Sequence, residues 1–214
     1  MIKNSRTSTA AALLAGALAA ATLLGGPTAS AGTNAVDTVD AKVKKGTLGW
    51  GIKESFRAYV EGPIADGGIE VTRPAIREDD GTFTWKKGRG KADAAADTAK
   101  ITFKGTVYFY GHDEGTGPTL EIYVDKPRLV IDGANSVLVA DVSSRLGSDL
   151  VEYPGVELVT IDAAGLDLEP NRKGIVKVSG LATTLTAPGA EAFAGFYEPG
   201  TAFDPISAKF KIAG

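Results

Sequence analysis

The sequence predicts a mostly β fold: an antiparallel β-sandwich or barrel-like domain with one short N-terminal helix and a candidate second short helix near the C-terminus. Short apolar segments recur along the chain and are separated by turns rich in Gly, Asp and Asn, which is typical of antiparallel sheets. The clearest segment is 100–110, where apolar and polar residues alternate with a period of two. A helical period begins near Gly51.

The first 31 residues have the composition of a cleaved signal peptide. Lys3 and Arg6 precede an apolar stretch from about Ala10 to Leu24, and Ala29-Ser30-Ala31 forms a small-residue cleavage site. The apolar stretch is shorter than the ~20 residues that a membrane-spanning helix needs. We therefore expect export and cleavage after Ala31, and the later sequence predicts no membrane span after cleavage.

Beyond the leader, the sequence predicts a polar, flexible linker at 32–45 and a single domain at 46–214. Removing Lys3 and Arg6 with the leader changes the net charge from −3 to about −5. This acidic balance, without basic clusters in the sequence, argues against nucleic acid and anionic lipid as partners. Because the sequence has no cysteine, thiolate metal ligands, disulfides and Fe–S clusters are excluded.

The first predicted element of the domain is a short helix that begins near Gly51. Its apolar stripe, at helical spacing, consists of Ile52, Phe56, Tyr59 and Val60. Its solvent-facing side is predicted to hold Lys53, Glu54 and Arg57. Gly62-Pro63 ends the helix. Because so short a helix is unstable alone, it must pack against the sheet.

Strands follow the helix at short intervals. In the segment 100–110, Gly105 lies on the apolar face, where it permits a bulge. Residues 86–97 are rich in Gly, Lys and Ala and are predicted to form an exposed loop, 132–135 a hairpin turn and 188–193 a helical turn. The other predicted strands are 69–71, 83–85, 120–124, 128–131, 136–142, 156–166, 174–186 and 208–212.

The sequence offers few residues for catalysis. His112 is the single histidine, and no Gly-x-Ser-x-Gly motif is present. A zinc site would need more ligands than His112 with the adjacent Asp113 and Glu114. A hydrolase that uses a pair of carboxylates stays as an alternative because the chain has 26 acidic residues. We predict that the protein is not an enzyme.

Two residues stand out by their position. Tyr59 lies on the apolar stripe of the helix, and His112 follows the clearest predicted strand. If the strand alternation continues, His112 projects from the same face as Tyr108 and Tyr110. From spacing alone, the favoured interpretations are a core aromatic for Tyr59 and a solvated strand-end residue for His112.

Three motifs are spread along nearly the whole predicted mature chain. The first is Gly-Trp-Gly-Ile-Lys-Glu-Ser-Phe-Arg-Ala-Tyr-Val at 49–60. The second is Phe-Lys-Gly-Thr-Val-Tyr-Phe-Tyr-Gly-His at 103–112, and the third is Gly-Phe-Tyr-Glu-Pro-Gly-Thr-Ala-Phe-Asp-Pro at 195–205. In this order they resemble the HtaA family of bacterial haem-binding domains.

The resemblance implies ferric haem b, bound non-covalently, as the ligand. In the family, the haem iron is bound by a tyrosine on the N-terminal helix, which matches Tyr59. A histidine hydrogen-bonded to that tyrosine matches His112, and whether His112 is instead a direct ligand stays open. The further residues implied at the site are Tyr197 as a second tyrosine, Phe196 and Trp50 as apolar walls, and Ser55 as a propionate contact.

The chemistry of the implied pair is coherent. A free phenol has a pKa of about 10 and is a poor ligand until it loses its proton. Ferric iron favours the phenolate, and an imidazole bonded to the phenol oxygen can hold the ring and accept the proton. Tyrosine is a known ligand of haem iron.

The resemblance also implies a secreted or cell-envelope protein of a Gram-positive bacterium. Such a protein takes haem from a donor protein and passes it to a surface receptor or an ABC importer, and two exposed sites could stack their haems in a haem-linked dimer. The alternative that the residues leave open is a non-enzymatic β-sandwich module for adhesion or cell-wall binding.

Overall fold

The structure is a computed structural model that describes residues 41–147 and 149–213. All of these residues fall within one compact unit. The predicted signal peptide and residues 32–40 of the predicted linker lie outside the described residues. The elements in chain order are β1 (Ala41–Trp50), α1 (Glu54–Val60), β2 (Gly68–Thr72), β3 (Ile76–Arg77), β4 (Phe83–Asp93), β5 (Thr98–Lys104), β6 (Thr106–Asp113), β7 (Pro118–Asp132), β8 (Val137–Leu146), β9 (Val151–Ile161), β10 (Ile175–Leu185), α2 (Ala187–Ala192) and β11 (Ala202–Ile212).

The strands form an antiparallel sheet that closes on itself. Strand β7 pairs with β6 near its start, with β5 near its end, and with β8 as well. From β5 the pairing continues through β4, β1, β11, β10 and β9 to β8. Within the described part of the chain these strands make a closed ring of eight. Two further strands extend the sheet from β7, because β6 pairs with β7 and β2 pairs with β6. The prediction of a mostly β, barrel-like fold with two short helices is confirmed.

Aromatic packing attaches the two helices to this sheet. Phe56 of α1 is fully buried, and its ring centroid lies 5.1 Å from that of Phe109 on β6. Phe193, directly after α2, lies 5.7 Å from Phe56. Burial of a phenylalanine is worth about 2–3 kcal/mol, which helps to hold a helix of seven residues in place. No helix in the described residues is long and apolar enough to cross a membrane.

Two sequence predictions about loops are wrong. Residues 41–45 belong to β1 rather than to a flexible linker, and most of the predicted loop 86–97 belongs to β4. The glycines that suggested a loop are needed for close strand pairing. A Cβ on Gly90 would overlap the carbonyl oxygen of Lys100 on the neighbouring strand.

The predicted strand 100–110 is two strands, β5 and β6, separated at Gly105. The backbone of Gly105 has φ of +108°, a conformation that glycine adopts without steric cost. The antiparallel pairing with β7 continues across Gly105 with a register shift of one residue, because Thr102 pairs with Arg128 and Thr106 with Asp125. One extra residue opposite β7 is a β-bulge, so the bulge expected at Gly105 is confirmed.

Candidate functional site

Tyr59 and His112 are in direct contact. The phenol oxygen of Tyr59, near the end of α1, lies 2.6 Å from Nε2 of His112 on β6, and the two groups share a hydrogen bond. Both side chains are half-buried. The contact joins residues 53 positions apart in the sequence, and it makes an accessible phenol–imidazole pair.

The backbone at His112 departs from the regular strand that the sequence suggested. Its φ is +55°, in the left-handed region that is uncommon for residues other than glycine. The N–H of His112 donates to the carbonyl of Ala65 at 2.7 Å, which holds this conformation. The alternation that would align His112 with Tyr108 and Tyr110 therefore does not continue to the end of β6. Such strained backbone is often found at functional sites.

Aromatic rings surround the phenol of Tyr59. The ring of Phe196 lies 5.7 Å from that of Tyr59 and 5.3 Å from that of Phe56. Phe196 follows α2 and is half-buried, so part of its side chain is accessible. The structure thus brings Phe196 beside the phenol–imidazole pair, as the third motif predicts.

Ser55 and Tyr197 lie beside the same helix and contact each other. Their hydroxyl groups share a hydrogen bond of 2.9 Å, and Ser55 is exposed. Lys53 Nζ donates to the carbonyl of Ala202 at 2.8 Å and lies 5.9 Å from the centre of the Tyr197 ring. Five of the six predicted site residues therefore lie together on or against α1.

Trp50 is the exception among the predicted site residues. It is 1% exposed and packs against Phe203, with ring centroids 6.4 Å apart. Its Nε1 donates to the backbone carbonyl of Asp204 at 2.8 Å. The prediction that Trp50 is a wall of the ligand site does not fit this position, because a side chain with almost no accessible surface supports the site from within the core.

Asp204 and Arg57 were not predicted as site residues, yet they position the helix that carries Tyr59. Arg57 is 9% exposed, so its predicted place on the solvent side is wrong. Its guanidinium forms an ion pair of 2.5 Å with the carboxylate of Asp204 on β11. The other oxygen of this carboxylate accepts a hydrogen bond of 3.0 Å from the N–H of Glu54, the first residue of α1.

The connection between β1 and α1 is shaped around this ion pair. Gly51 accepts a hydrogen bond from Arg57, and a Cβ at Gly51 would overlap the Asp204 carboxylate. The next residue, Ile52, is fully buried with φ of +66°, a strained conformation for a β-branched side chain. The N–H of Asp204 donates to the carbonyl of Ile52 at 2.9 Å and holds it there.

Other tyrosines near the sheet have a different chemistry. The hydroxyl groups of Tyr108 and Tyr123 both donate to one carboxylate oxygen of Glu121, at 2.8 and 3.0 Å. Burial, together with the hydrogen bonds to Tyr123 and Glu121, raises the pKa of Tyr108 well above its ordinary value. Because a metal ligand must lose this proton, the raised pKa disfavours Tyr108 as an iron ligand.

Comparison with known proteins shows the family of this chain. The sequence model of the HtaA family (Htaa) matches residues 45–209. The chain belongs to the HtaA family. The resemblance that the three motifs indicated is thereby confirmed. A comparison with curated proteins gave no match.

Solved HtaA-family structures have the same fold as this HtaA-family chain. The C-terminal domain of HtaA from Corynebacterium glutamicum matches with a TM-score of 0.72 and 28% identity, over 81% of this chain and 99% of that one. Heme binding protein HtaB from the same organism matches with a TM-score of 0.66 and 26% identity, over 82% and 96%. A domain-swapped dimer of a histidine-to-alanine variant of the HtaA C-terminal domain matches with a TM-score of 0.61 and 28% identity, over 74% and 91%.

The donor set of this HtaA-family chain suits a metal that already has most of its ligands. Within the described residues there is no group of three or more His, Cys, Asp or Glu side chains that could hold a bare metal ion. The Tyr59–His112 pair offers one phenol oxygen beside aromatic rings. That arrangement fits a flat metal complex that needs one further ligand.

Proposed function

We propose that this protein binds ferric haem through the phenolate of Tyr59 and passes it on for iron acquisition, without catalysing a reaction. The observation that carries the proposal is the 2.6 Å contact between the Tyr59 phenol and Nε2 of His112 at a half-buried position. Membership of the HtaA family supports it, as does the likeness to the heme binding protein HtaB.

His112 accounts for the proton in this proposal. When the Tyr59 oxygen binds ferric iron, its proton must leave, and Nε2 of His112 lies in hydrogen-bond contact to accept it. The N–H then formed donates to the phenolate oxygen and keeps the ring oriented. A hard anionic oxygen favours Fe(III) over Fe(II), and one strong axial bond allows transfer to a partner.

The neighbouring side chains provide the rest of the site. Phe196 gives an apolar surface for the porphyrin, and the Ser55–Tyr197 pair places two hydroxyl groups within reach of a propionate. Trp50 is not part of this surface and acts through packing. These residues bind and orient the ligand, while Tyr59 makes the bond to iron.

We expect His112→Ala to weaken haemin binding by about 10–100-fold, the usual cost of losing a group that orients a metal ligand. Iron–oxygen ligation should stay detectable by resonance Raman spectroscopy, because Tyr59 is still present. Thr119→Ala, which removes an exposed hydroxyl bonded to the backbone carbonyl of His112, is the matched control and should leave affinity unchanged. Loss of all ligation in His112→Ala would instead identify His112 as the direct ligand.

The proposal places the mature protein outside the cytoplasm, secreted or on the envelope of a Gram-positive bacterium. It would receive haem from a donor protein and deliver it to a surface receptor or importer. The expected N-terminus of the exported protein is Gly32, which N-terminal sequencing of protein from the culture medium or cell wall measures. Protein that retains the leader and stays in the cytoplasm would contradict this part of the proposal.

A further inference from the structure

A second concave surface lies away from the Tyr59 site, between the start of β1, the middle of β4 and the end of β11. We call it the lysine groove; its volume is about 710 Å³. Lys45 of the groove pairs with Lys211, whereas Trp50, next to the α1 connection, pairs with Ile206. Five residues of extended chain correspond to about 17 Å, so the groove is a separate site.

The groove forms where the pairing between β1 and β4 is interrupted. Strands β1 and β4 pair at Val43 with Gly90 and again at Leu48 with Trp85, with no paired positions between. Strand β1 has an irregularity between Val43 and Lys45, and β4 has another between Lys86 and Arg89. Irregularities of this kind redirect side chains that a regular strand would place on alternate faces.

Two glycines allow the base of the opening to be compact. A Cβ on Gly88 would lie 2.6 Å from the Phe103 ring and 2.8 Å from Cα of Gly46. The floor is largely apolar, because Ile175 is partly exposed there and the buried Gly46 and Phe210 lie beneath it. A cavity of this volume lies within the range of about 300–1,000 Å³ that is typical of small-molecule sites.

The rim of the groove is strongly cationic. Seven basic side chains line it: Lys44 and Lys45 from β1, Lys86, Lys87 and Arg89 from β4, and Lys209 and Lys211 from β11. No acidic side chain among the described residues lines it. None of the seven forms an ion pair within the described part of the chain, whereas Arg57, Arg77 and Arg145 all do.

This concentration of positive charge is notable because the whole chain has a net charge of −3. Seven like charges around one groove repel one another, and an anionic ligand would relieve that repulsion. An apolar floor beneath them favours a ligand with an apolar body. The lining has no Tyr, His or Met, so it offers no iron ligand of the kind found at Tyr59.

We propose that the lysine groove binds an amphipathic organic anion with at least two negatively charged groups. Its apolar body would rest on Ile175 and on the aliphatic parts of the surrounding lysine side chains, and its charged groups would contact lysines on the two strands that flank β1, such as Lys87 and Lys209. Inorganic anions lack the apolar body, and a flat anionic bilayer would contact the rim without filling the groove. This site is independent of Tyr59 and His112.

Fluorescence titration with bis-ANS, an aromatic disulfonate, tests the proposal on the mature protein. Lys87→Gln/Lys209→Gln should weaken binding by about tenfold or more, because two charge-assisted contacts are lost. Lys100→Gln/Arg172→Gln removes the same charge from exposed positions outside the groove and should leave the affinity within about twofold. The Tyr59→Phe variant should bind bis-ANS with unchanged affinity. In this variant, bis-ANS should shift the amide NMR signals of Gly46 and Gly88.

Three results would overturn the proposal. The first is an equal loss of affinity in the groove variant and its control. The second is pyrophosphate binding as tightly as bis-ANS, which would mean that charge alone is recognised. The third is binding to anionic vesicles that depends on the groove lysines while bis-ANS binding does not, which would indicate a membrane contact instead.

Discussion

Tyr59→Phe is expected to abolish the tyrosinate-to-iron signature of the haemin complex and to weaken haemin binding by more than about 100-fold. Loss of a group that only orients a metal ligand usually costs about 10–100-fold, and this variant removes the ligand itself. The substitution keeps the aromatic ring that packs near Phe56 and Phe196, so the fold should be unchanged. Absorption and resonance Raman spectra of the variant with haemin measure the effect.

Tyr197→Phe is the matched control for this experiment. It removes the hydroxyl that bonds Ser55 and leaves both the ring and the Tyr59–His112 contact in place. We expect the tyrosinate signature to persist in this variant. If the signature disappeared in Tyr197→Phe and persisted in Tyr59→Phe, the iron ligand would be Tyr197 and our assignment of Tyr59 would be wrong.

Asp204→Ala is expected to lower the free energy of unfolding by about 3 kcal/mol, since it leaves the Arg57 guanidinium buried without its partner. The side chains of Arg57 and Asp204 are 11% and 21% exposed. The first turn of α1 also loses the acceptor for the Glu54 N–H. For a domain of this size the melting temperature should fall by roughly 10 °C, which thermal and denaturant unfolding both measure.

Glu61→Gln provides the comparison with an exposed ion pair. Glu61 forms a bidentate contact with Arg77, and the two side chains are 38% and 32% exposed. Exposed pairs contribute less than about 1 kcal/mol, so this variant should unfold almost as the unsubstituted protein does. A loss in Asp204→Ala no larger than that in Glu61→Gln would show that the Arg57–Asp204 pair does not hold α1 in place.

The fold class was predictable because it depends on local patterns. Alternation in segments such as 100–110 indicates strands with one buried face, and frequent turn residues indicate antiparallel pairing. The particular strand pairings that close the ring were not predictable, because they join distant segments, such as β1 and β11 at the two ends of the domain. The loop prediction at 86–97 failed because glycine marks both turns and close strand contacts.

The candidate site was predictable only in part, because some of its contacts join distant parts of the chain. Motifs placed Tyr59, His112 and Phe196 at the site, and the structure brings all three together. Arg57 has the helix position of a solvent-facing residue, and its partner Asp204 lies 147 positions later. A single ion pair between residues so far apart in the chain produces no periodic pattern in the sequence.

The burial of Trp50 and the lysine groove also depend on contacts between strands, which the sequence alone does not reveal. A tryptophan beside glycines looks like an exposed aromatic in the sequence, yet β11 and Phe203 cover it. The basic residues of the groove occur in short groups on three strands, so the sequence shows no basic cluster. Only the pairing of β1 with β4 and β11 brings them together.

A haemin titration of the mature protein, followed by absorption spectroscopy, tests the central claim that this chain binds ferric haem through Tyr59. We predict a shifted Soret band that saturates at about one haemin per chain, with a tyrosinate-to-iron charge-transfer band that Tyr59→Phe lacks. No Soret shift at micromolar protein would contradict haem binding. A shift with the same charge-transfer band in Tyr59→Phe would contradict the assignment of Tyr59 as the ligand.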